Sequence, residues 1–264
     1  MNNLGRIIAI ASGKGGVGKT TITSNLGIAL SQKFNQRVVL VDCNITTSHL
    51  GLFFGIYYSP ETLNKVLRGE TNIKDALVEQ FSSLRVLPAS LSLSELEGAD
   101  LINLKDVVYP LKDSNDLIFL DTAPGLGREA IASIKSSEEI LFVTTPYLPA
   151  VIDVVKTMEV VKEFGIKPIG VVLNMVGRGK NEMTIKEVEQ LTGLNVISSI
   201  PYDKNVVESI TLKMPVLITR PKSKASKEII KLAAFLIGRE IKEESRFSRF
   251  FERFKLNFRK FRIV

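Results

Sequence analysis

The 264-residue chain has no tryptophan, one histidine and one cysteine, and each scarcity closes off a class of chemistry. A single cysteine, Cys43, excludes an internal disulfide framework, a Cys-x-x-Cys metal site and cysteine-held iron–sulfur ligation. It is expected to pack as a small buried residue. His49 stands alone, so no histidine cluster forms, and nothing in the chain reads as a Ser-His-Asp or Cys-His catalyst. Long apolar runs are missing: none approaches 18 residues, and the opening MNNLGR lacks the apolar core of a signal peptide. The reading that follows is a cytoplasmic protein. Internal repeats and low-complexity linkers are also absent; at this length, the strand-then-helix rhythm set out below favours one α/β domain.

The sequence does contain Gly13-Lys14-Gly15-Gly16-Val17-Gly18-Lys19-Thr20-Thr21 between an apolar run, RIIAIAS, and a helical one, TITSNLGIALSQKF. The pattern G-x-x-x-x-G-K-[ST] is a phosphate-binding loop. Its glycines let backbone N–H groups turn inward around an anion. Lys19 reaches the β- and γ-phosphates, and the Thr20 hydroxyl ligates Mg²⁺. The helix that follows adds its positive N-terminal end. Strand and helix expectations alternate along the rest of the chain. Strands are expected at 6–12, 37–42, 84–90, 117–120, 139–146, 168–176 and 195–203, and helices at 20–34, 59–68, 73–78, 101–112, 150–164, 184–191, from 203 to about 211, and 224–238. Continuous apolar strands such as VVLVD and LIFLD suit a largely parallel sheet buried on both faces, and ligands of such sheets bind beyond the carboxyl ends of the strands. Asp121, delivered by LIFLD, is then placed to hold Mg²⁺ through water.

With Lys14 in second position, GKGGVGKTT resembles the deviant Walker A box of the MinD/ParA family of P-loop ATPases, and most closely its MinD-like members. The resemblance runs from about residue 5 to 238 and takes in VVLVD, DTAPGLG, FVTTP, VVLNMV and IPYDKNVVES. It implies a doubly wound P-loop fold over residues 1–238, ATP and Mg²⁺ as cofactors, and a homodimer closed around the nucleotide. Lys14 would reach the phosphates held by the partner subunit. Gly13, Gly15, Gly16, Val17, Gly18, Lys19, Thr20 and Thr21 would cradle phosphate within one subunit. Thr20, Asp42 and Asp121 would serve Mg²⁺, while Asn174 would read the adenine edge with Pro201 and Asp203 near the base.

One position departs from the family pattern. The family usually carries an aspartate two residues after Asp42, where it orients the attacking water; here the residue is Asn44. An asparagine accepts a hydrogen bond from water but takes no proton. Slow hydrolysis is expected, and a nucleotide-dependent scaffold with little turnover stays open as an alternative.

The net charge of +7 is concentrated at one end. Residues 245–264 hold seven Arg and Lys against one Glu, leaving about +1 for the rest. The same stretch carries six of the fourteen phenylalanines, Phe247, Phe250, Phe251, Phe254, Phe258 and Phe261, at spacings that put them on one stripe of a helix. An aromatic face with basic flanks describes an interfacial amphipathic helix over a 239–264 tail, peripheral to an anionic membrane at its inner face. Docking on a protein groove and nucleic-acid binding are the other readings of this tail, and a ParA-like DNA-partitioning ATPase is the corresponding alternative function. An activator or cargo protein is expected, of unknown identity.

Overall fold

The computed structural model describes residues 4–81 and 83–240. Its elements, in chain order, are β1 (Arg6–Ala11), α1 (Lys19–Phe34), β2 (Val38–Asp42), α2 (Leu63–Leu67), β3 (Val78–Phe81), β4 (Leu84–Leu87), α3 (Leu104–Val108), β5 (Leu117–Asp121), α4 (Arg128–Lys135), β6 (Glu139–Thr144), α5 (Leu148–Glu163), β7 (Lys167–Val176), α6 (Ile185–Thr192), β8 (Val196–Pro201), α7 (Lys204–Thr211), α8 (Val216–Thr219) and α9 (Lys224–Leu236).

The strands that read as unbroken apolar runs are the ones buried on both faces. Every residue of β2 and β5 is buried, as is nearly every residue of β1 and β6. They form one eight-stranded sheet in the order β3-β4-β2-β5-β1-β6-β7-β8. All pairings are parallel except β3 with β4. Alternate side chains feed opposite layers. Ile8, Ile10, Leu40 and Phe119 pack under α1, α8 and α9. Val39, Val41, Ile118 and Leu120 pack against α2 and α3. Ala9, Ala11, Ile140 and Phe142 meet α4, α5 and α6. The expected doubly wound α/β architecture is thus present.

The order of strands fixes the site. β1 lies between β5 and β6, so the loop leaving β1 opens at the centre of the carboxyl edge. In the β2–β5 register Asp42 stands directly beside Asp121, and in the β1–β5 register Ile10 stands beside Asp121. Two carboxyls and the β1 loop therefore share one small region of that edge.

Several boundaries differ from expectation. The helix expected at 73–78 is a set of turns leading into β3, an antiparallel edge strand. The stretch 101–112 is not one helix: 3-10 turns at Leu101–Asn103 and Tyr109–Asp113 flank the five-residue α3. Pro110 lies in the first turn of the later 3-10 piece, where its missing N–H costs nothing. At 59–68 only Leu63–Leu67 is helical, because the Thr62 hydroxyl accepts from the Lys65 N–H and sets the start there. α5 begins two residues earlier than expected, with Pro149 in its first turn. α4 and α8 fall where the sequence suggests no helix. The 239–264 tail, with its six phenylalanines, lies almost wholly outside the described residues. Among those described, no helix is long and apolar enough to cross a membrane.

Candidate functional site

The loop after β1 is held from below and from both sides. Gly13 packs so closely on α5 that a Cβ there would lie 2.2 Å from the Asp153 Cβ. Gly18 has φ 94°, and a Cβ would fall 2.3 Å from Asn174 Nδ2. Asn174 donates from that nitrogen to the Val17 carbonyl at 2.8 Å, so the end of β7 props the loop. Val17 itself is buried. Each contact requires a missing side chain or a left-handed backbone, which is why glycine stands at these positions.

The two lysines of the loop have opposite environments. Lys19 is 8% exposed, and its Nζ donates to Ser12 Oγ at 2.8 Å. Burial lowers its pKa, and the neighbouring Asp121 charge opposes that shift. Ser12 Oγ in turn donates to the Lys14 carbonyl at 2.8 Å, fixing the backbone of the second lysine. Lys14 is exposed. One cation is aimed inward and the other is left outside.

Thr20 Oγ1 donates to Asp121 Oδ2 at 2.7 Å, and Thr23 Oγ1 lies 3.0 Å from Oδ1. Burial raises the Asp121 carboxyl pKa, while Thr20, Lys19 and Thr23 pull it back. Asp42 is raised to about 7, first by burial and then by the Asp121 charge. Its Oδ2 accepts from Ser48 Oγ (2.7 Å) and from the N–H groups of His49 and Leu50 (3.2 and 2.9 Å), and its Oδ1 from the Asn44 N–H (3.2 Å). Two adjacent buried carboxyls that each resist ionisation suit a cation between loop and sheet edge.

Asn44 turns into its own loop. Its Nδ2 donates to the Thr47 carbonyl at 2.8 Å, and its Oδ1 accepts from Thr47 Oγ1 at 3.0 Å. Thr46 Oγ1 donates to Glu129 at the start of α4, so the segments after β2 and β5 are tied to each other. Asp203 accepts from Asn205 N and Nδ2 (2.9 and 2.7 Å) and from Ala225 N (3.2 Å). Its carboxylate thus anchors the starts of α7 and α9. Pro201 pairs with Val176 in the β7–β8 register, two residues from Asn174.

The structure therefore gathers Gly13–Thr21, Asp42, Asn44 and Asp121 at one edge and sets Asn174 beside them. Thr21 is buried along α1, its carbonyl accepting from Asn25 Nδ2. Cys43 is buried as expected, and its thiol pKa is pushed up by that burial. His49 is exposed and meets Asp42 only through its backbone. No group of three or more His, Cys, Asp or Glu able to hold a metal occurs among the described residues. Sequence reading missed Ser12, Thr23, Ser48 and Glu129. Thr23 carried a usable mark, since it sits three residues after Thr20 on the same helical face; the others act through distant partners.

Residues 8–216 match the family described as the CobQ/CobB/MinD/ParA nucleotide binding domain. An uncharacterized ATP-binding protein of Methanocaldococcus jannaschii is 38% identical over 232 residues, covering 88% of each chain. The crystal structure of the Pyrococcus furiosus cell division ATPase MinD is 36% identical, with a TM-score of 0.86 over 89% of this chain and 99% of that one. The septum site-determining protein MinD of Pyrococcus horikoshii, solved with Mg-ADP, is 32% identical with a TM-score of 0.85, over 88% of this chain and 96% of that one.

Proposed function

Because the chain belongs to the CobQ/CobB/MinD/ParA nucleotide-binding family, we propose that it is a MinD-like spatial regulator that binds Mg-ATP, dimerises around it, hydrolyses it slowly and carries itself to a membrane surface. The observation that carries this reading is the contrast between its two loop lysines. Lys19 is buried and tied to Ser12, as a lysine serving phosphate in its own subunit would be. Lys14 projects outward from a backbone that Ser12 holds in place, ready for phosphate bound by a second copy of the chain.

The residues present fit a Mg-nucleotide. Gly16 and Gly18 have positive φ, the left-handed backbone that lets loop N–H groups turn inward around an anion. Thr20 is held against Asp121 with its hydroxyl at the loop floor, and Asp42 lies in register beside that acid. Mg²⁺ would neutralise charge on the transferring phosphoryl group. Lys19 would bind phosphate oxygens, Thr20 would ligate the ion, and Asp42 and Asp121 would act through water. Asn44 supplies no proton acceptor, so turnover rests on positioning and charge and is slow.

The tail gives the switch its output. α9 starts beside Asp203 at the carboxyl edge and ends where Arg6, at the start of β1, donates to the Leu236 carbonyl at 2.6 Å. The described part of the last helix therefore ends at the amino edge of the sheet, opposite Lys14. One basic, phenylalanine-striped tail binds a bilayer weakly; two linked by a nucleotide-closed dimer gain avidity of roughly 10² to 10⁴.

Steady-state phosphate release with and without anionic liposomes tests the site together with the tail. Slow turnover that liposomes raise and Lys19→Ala removes is expected. Turnover that survives Lys19→Ala would place the activity elsewhere.

A further inference from the structure

The segment after β2 wraps the first of the two acids. Ser48 Oγ and the N–H groups of His49 and Leu50 all donate to Asp42 Oδ2, and Cys43 N donates to the Asp121 carbonyl at 3.0 Å. Cys43, Ile45, Ser48 and Leu50 are buried, so most of the segment is held by the core. Thr46 and Thr47 are exposed and form its tip. Two side-chain ties hold that tip. Asn44 closes the turn from within, through its Nδ2 to the Thr47 carbonyl and its Oδ1 to the Thr47 hydroxyl. Thr46 Oγ1 fastens it from outside by donating to the Glu129 carboxylate.

Glu129 lies in the first turn of α4, where an acid also favours the helix N-terminus. Its placement goes further than that. Ser133, one turn on and on the same helical face, meets the Cys43 thiol, and its Oγ donates to the Glu129 carbonyl at 2.7 Å. α4 therefore touches the segment twice: in the core at Cys43, next to Asp42, and at the surface at Thr46, within the turn that Asn44 closes. The first contact sets where the segment runs, and the second sets how its tip is turned. With the tip so turned, both ends of the Asn44 amide are engaged by Thr47, including the oxygen that could accept from a water.

We propose that Thr46 and Glu129 are positioning residues that hold Asn44 turned in on Thr47, and that this tie restrains hydrolysis below the rate the site allows. The proposal rests on the nucleotide-binding reading above and deepens it. An asparagine at this position takes no proton, but its amide oxygen orients an attacking water once the tip lets it turn outward. Opening the Thr46–Glu129 tie frees the tip and leaves intact the Asp42 contacts of Ser48, His49 and Leu50, which come after it in the chain. Neither Thr46 nor Glu129 touches the nucleotide in this account; both act through Asn44.

The test measures steady-state phosphate release and Mg-ATP binding for the full chain and for Thr46→Val, Thr46→Ser, Glu129→Ala, Glu129→Gln and Lys19→Ala, with Thr46→Val repeated in an Asn44→Ala chain. Thr46→Val and Glu129→Ala are expected to raise kcat about threefold to tenfold, the range that one hydrogen bond spans, with ATP affinity unchanged. Thr46→Ser keeps the donor and Glu129→Gln keeps an acceptor, and both are expected to turn over as the parent does. In the Asn44→Ala chain, which has no amide to release, Thr46→Val is expected to change nothing; a tie that merely steadied α4 would act alike in both chains. The restraint is overturned if Thr46→Val and Glu129→Ala turn over at the parent's rate or below it, if Glu129→Gln departs from the parent as far as Glu129→Ala does, or if the gain persists in the Asn44→Ala chain. It falls together with the nucleotide reading if the parent binds no Mg-ATP, or if Lys19→Ala binds and turns over like the parent; loss of both in Lys19→Ala alone supports that reading and leaves the restraint to the other variants.

Discussion

At the scale of single residues, Asn44 and Gly18 separate speed from binding. Asn44 spends both ends of its amide on Thr47, so neither faces outward to orient a water. Replacing it by aspartate removes the donor to the Thr47 carbonyl and adds a proton acceptor two residues after Asp42. Asn44→Asp is expected to raise the rate of phosphate release several-fold, while a rate equal to the parent's would remove the role assigned to this position. Gly18→Ala is expected to abolish nucleotide binding, because the new Cβ meets Asn174 Nδ2 at 2.3 Å on a backbone with φ 94°; overpacking and left-handed strain each cost about 1–3 kcal/mol. A nucleotide titration followed by calorimetry reads this directly. Lys14, Lys19 and Thr20 were legible in the sequence because the loop is local: nine consecutive residues carry the whole pattern. Ser12, Ser48 and Glu129 were not, since each acquires its role from a partner that only the sheet brings near. The conformation of Asn44 was equally hidden, although its identity was plain.

At the scale of elements, the pinned turn after β7 and the anchored starts of α7 and α9 are the parts on which the site leans. Burial alone would raise the Glu182 carboxyl, but the N–H groups of Gly177, Arg178 and Gly179 and the Tyr147 hydroxyl outweigh it and hold the pKa below 4.5. A carboxyl lowered on folding contributes stability that is complete above its unfolded pKa and is lost as pH falls through the folded one. Urea unfolding of the parent is therefore expected to weaken below about pH 4.5 more steeply than that of Glu182→Gln, which lacks this titration. Asp203 caps α7 and also receives the Ala225 N–H, so Asp203→Ala is expected to cost about 1–2 kcal/mol in the same assay. Long periodic elements such as α1, α5 and α9 were legible to within two residues. The short ones were not: α3 is broken by 3-10 turns on both sides, and β3 owes its extended form to pairing with β4, which no local propensity announces.

For the whole molecule, the two ends of the sheet do different work. The carboxyl edge collects the phosphate loop, both acids and the exposed Lys14, while α9 ends at the amino edge beside Arg6. The fold was readable from alternating apolar strands and helices, and the order of strands, which places Asp42 against Asp121, was not. The body holds little of the net charge, and almost all of it lies in residues 245–264. Membrane residence should therefore be separable from folding. Deleting 245–264 is expected to leave the thermal unfolding midpoint of the body unchanged and to abolish binding to anionic vesicles. The central claim is that nucleotide-driven pairing through Lys14 sets where the protein resides, and sedimentation with anionic liposomes in ATP, in ADP and without nucleotide tests it most directly. The account predicts strong co-sedimentation with ATP alone, lost in Lys14→Ala; equal binding in all three conditions, or ATP-dependent binding that survives Lys14→Ala, would contradict it.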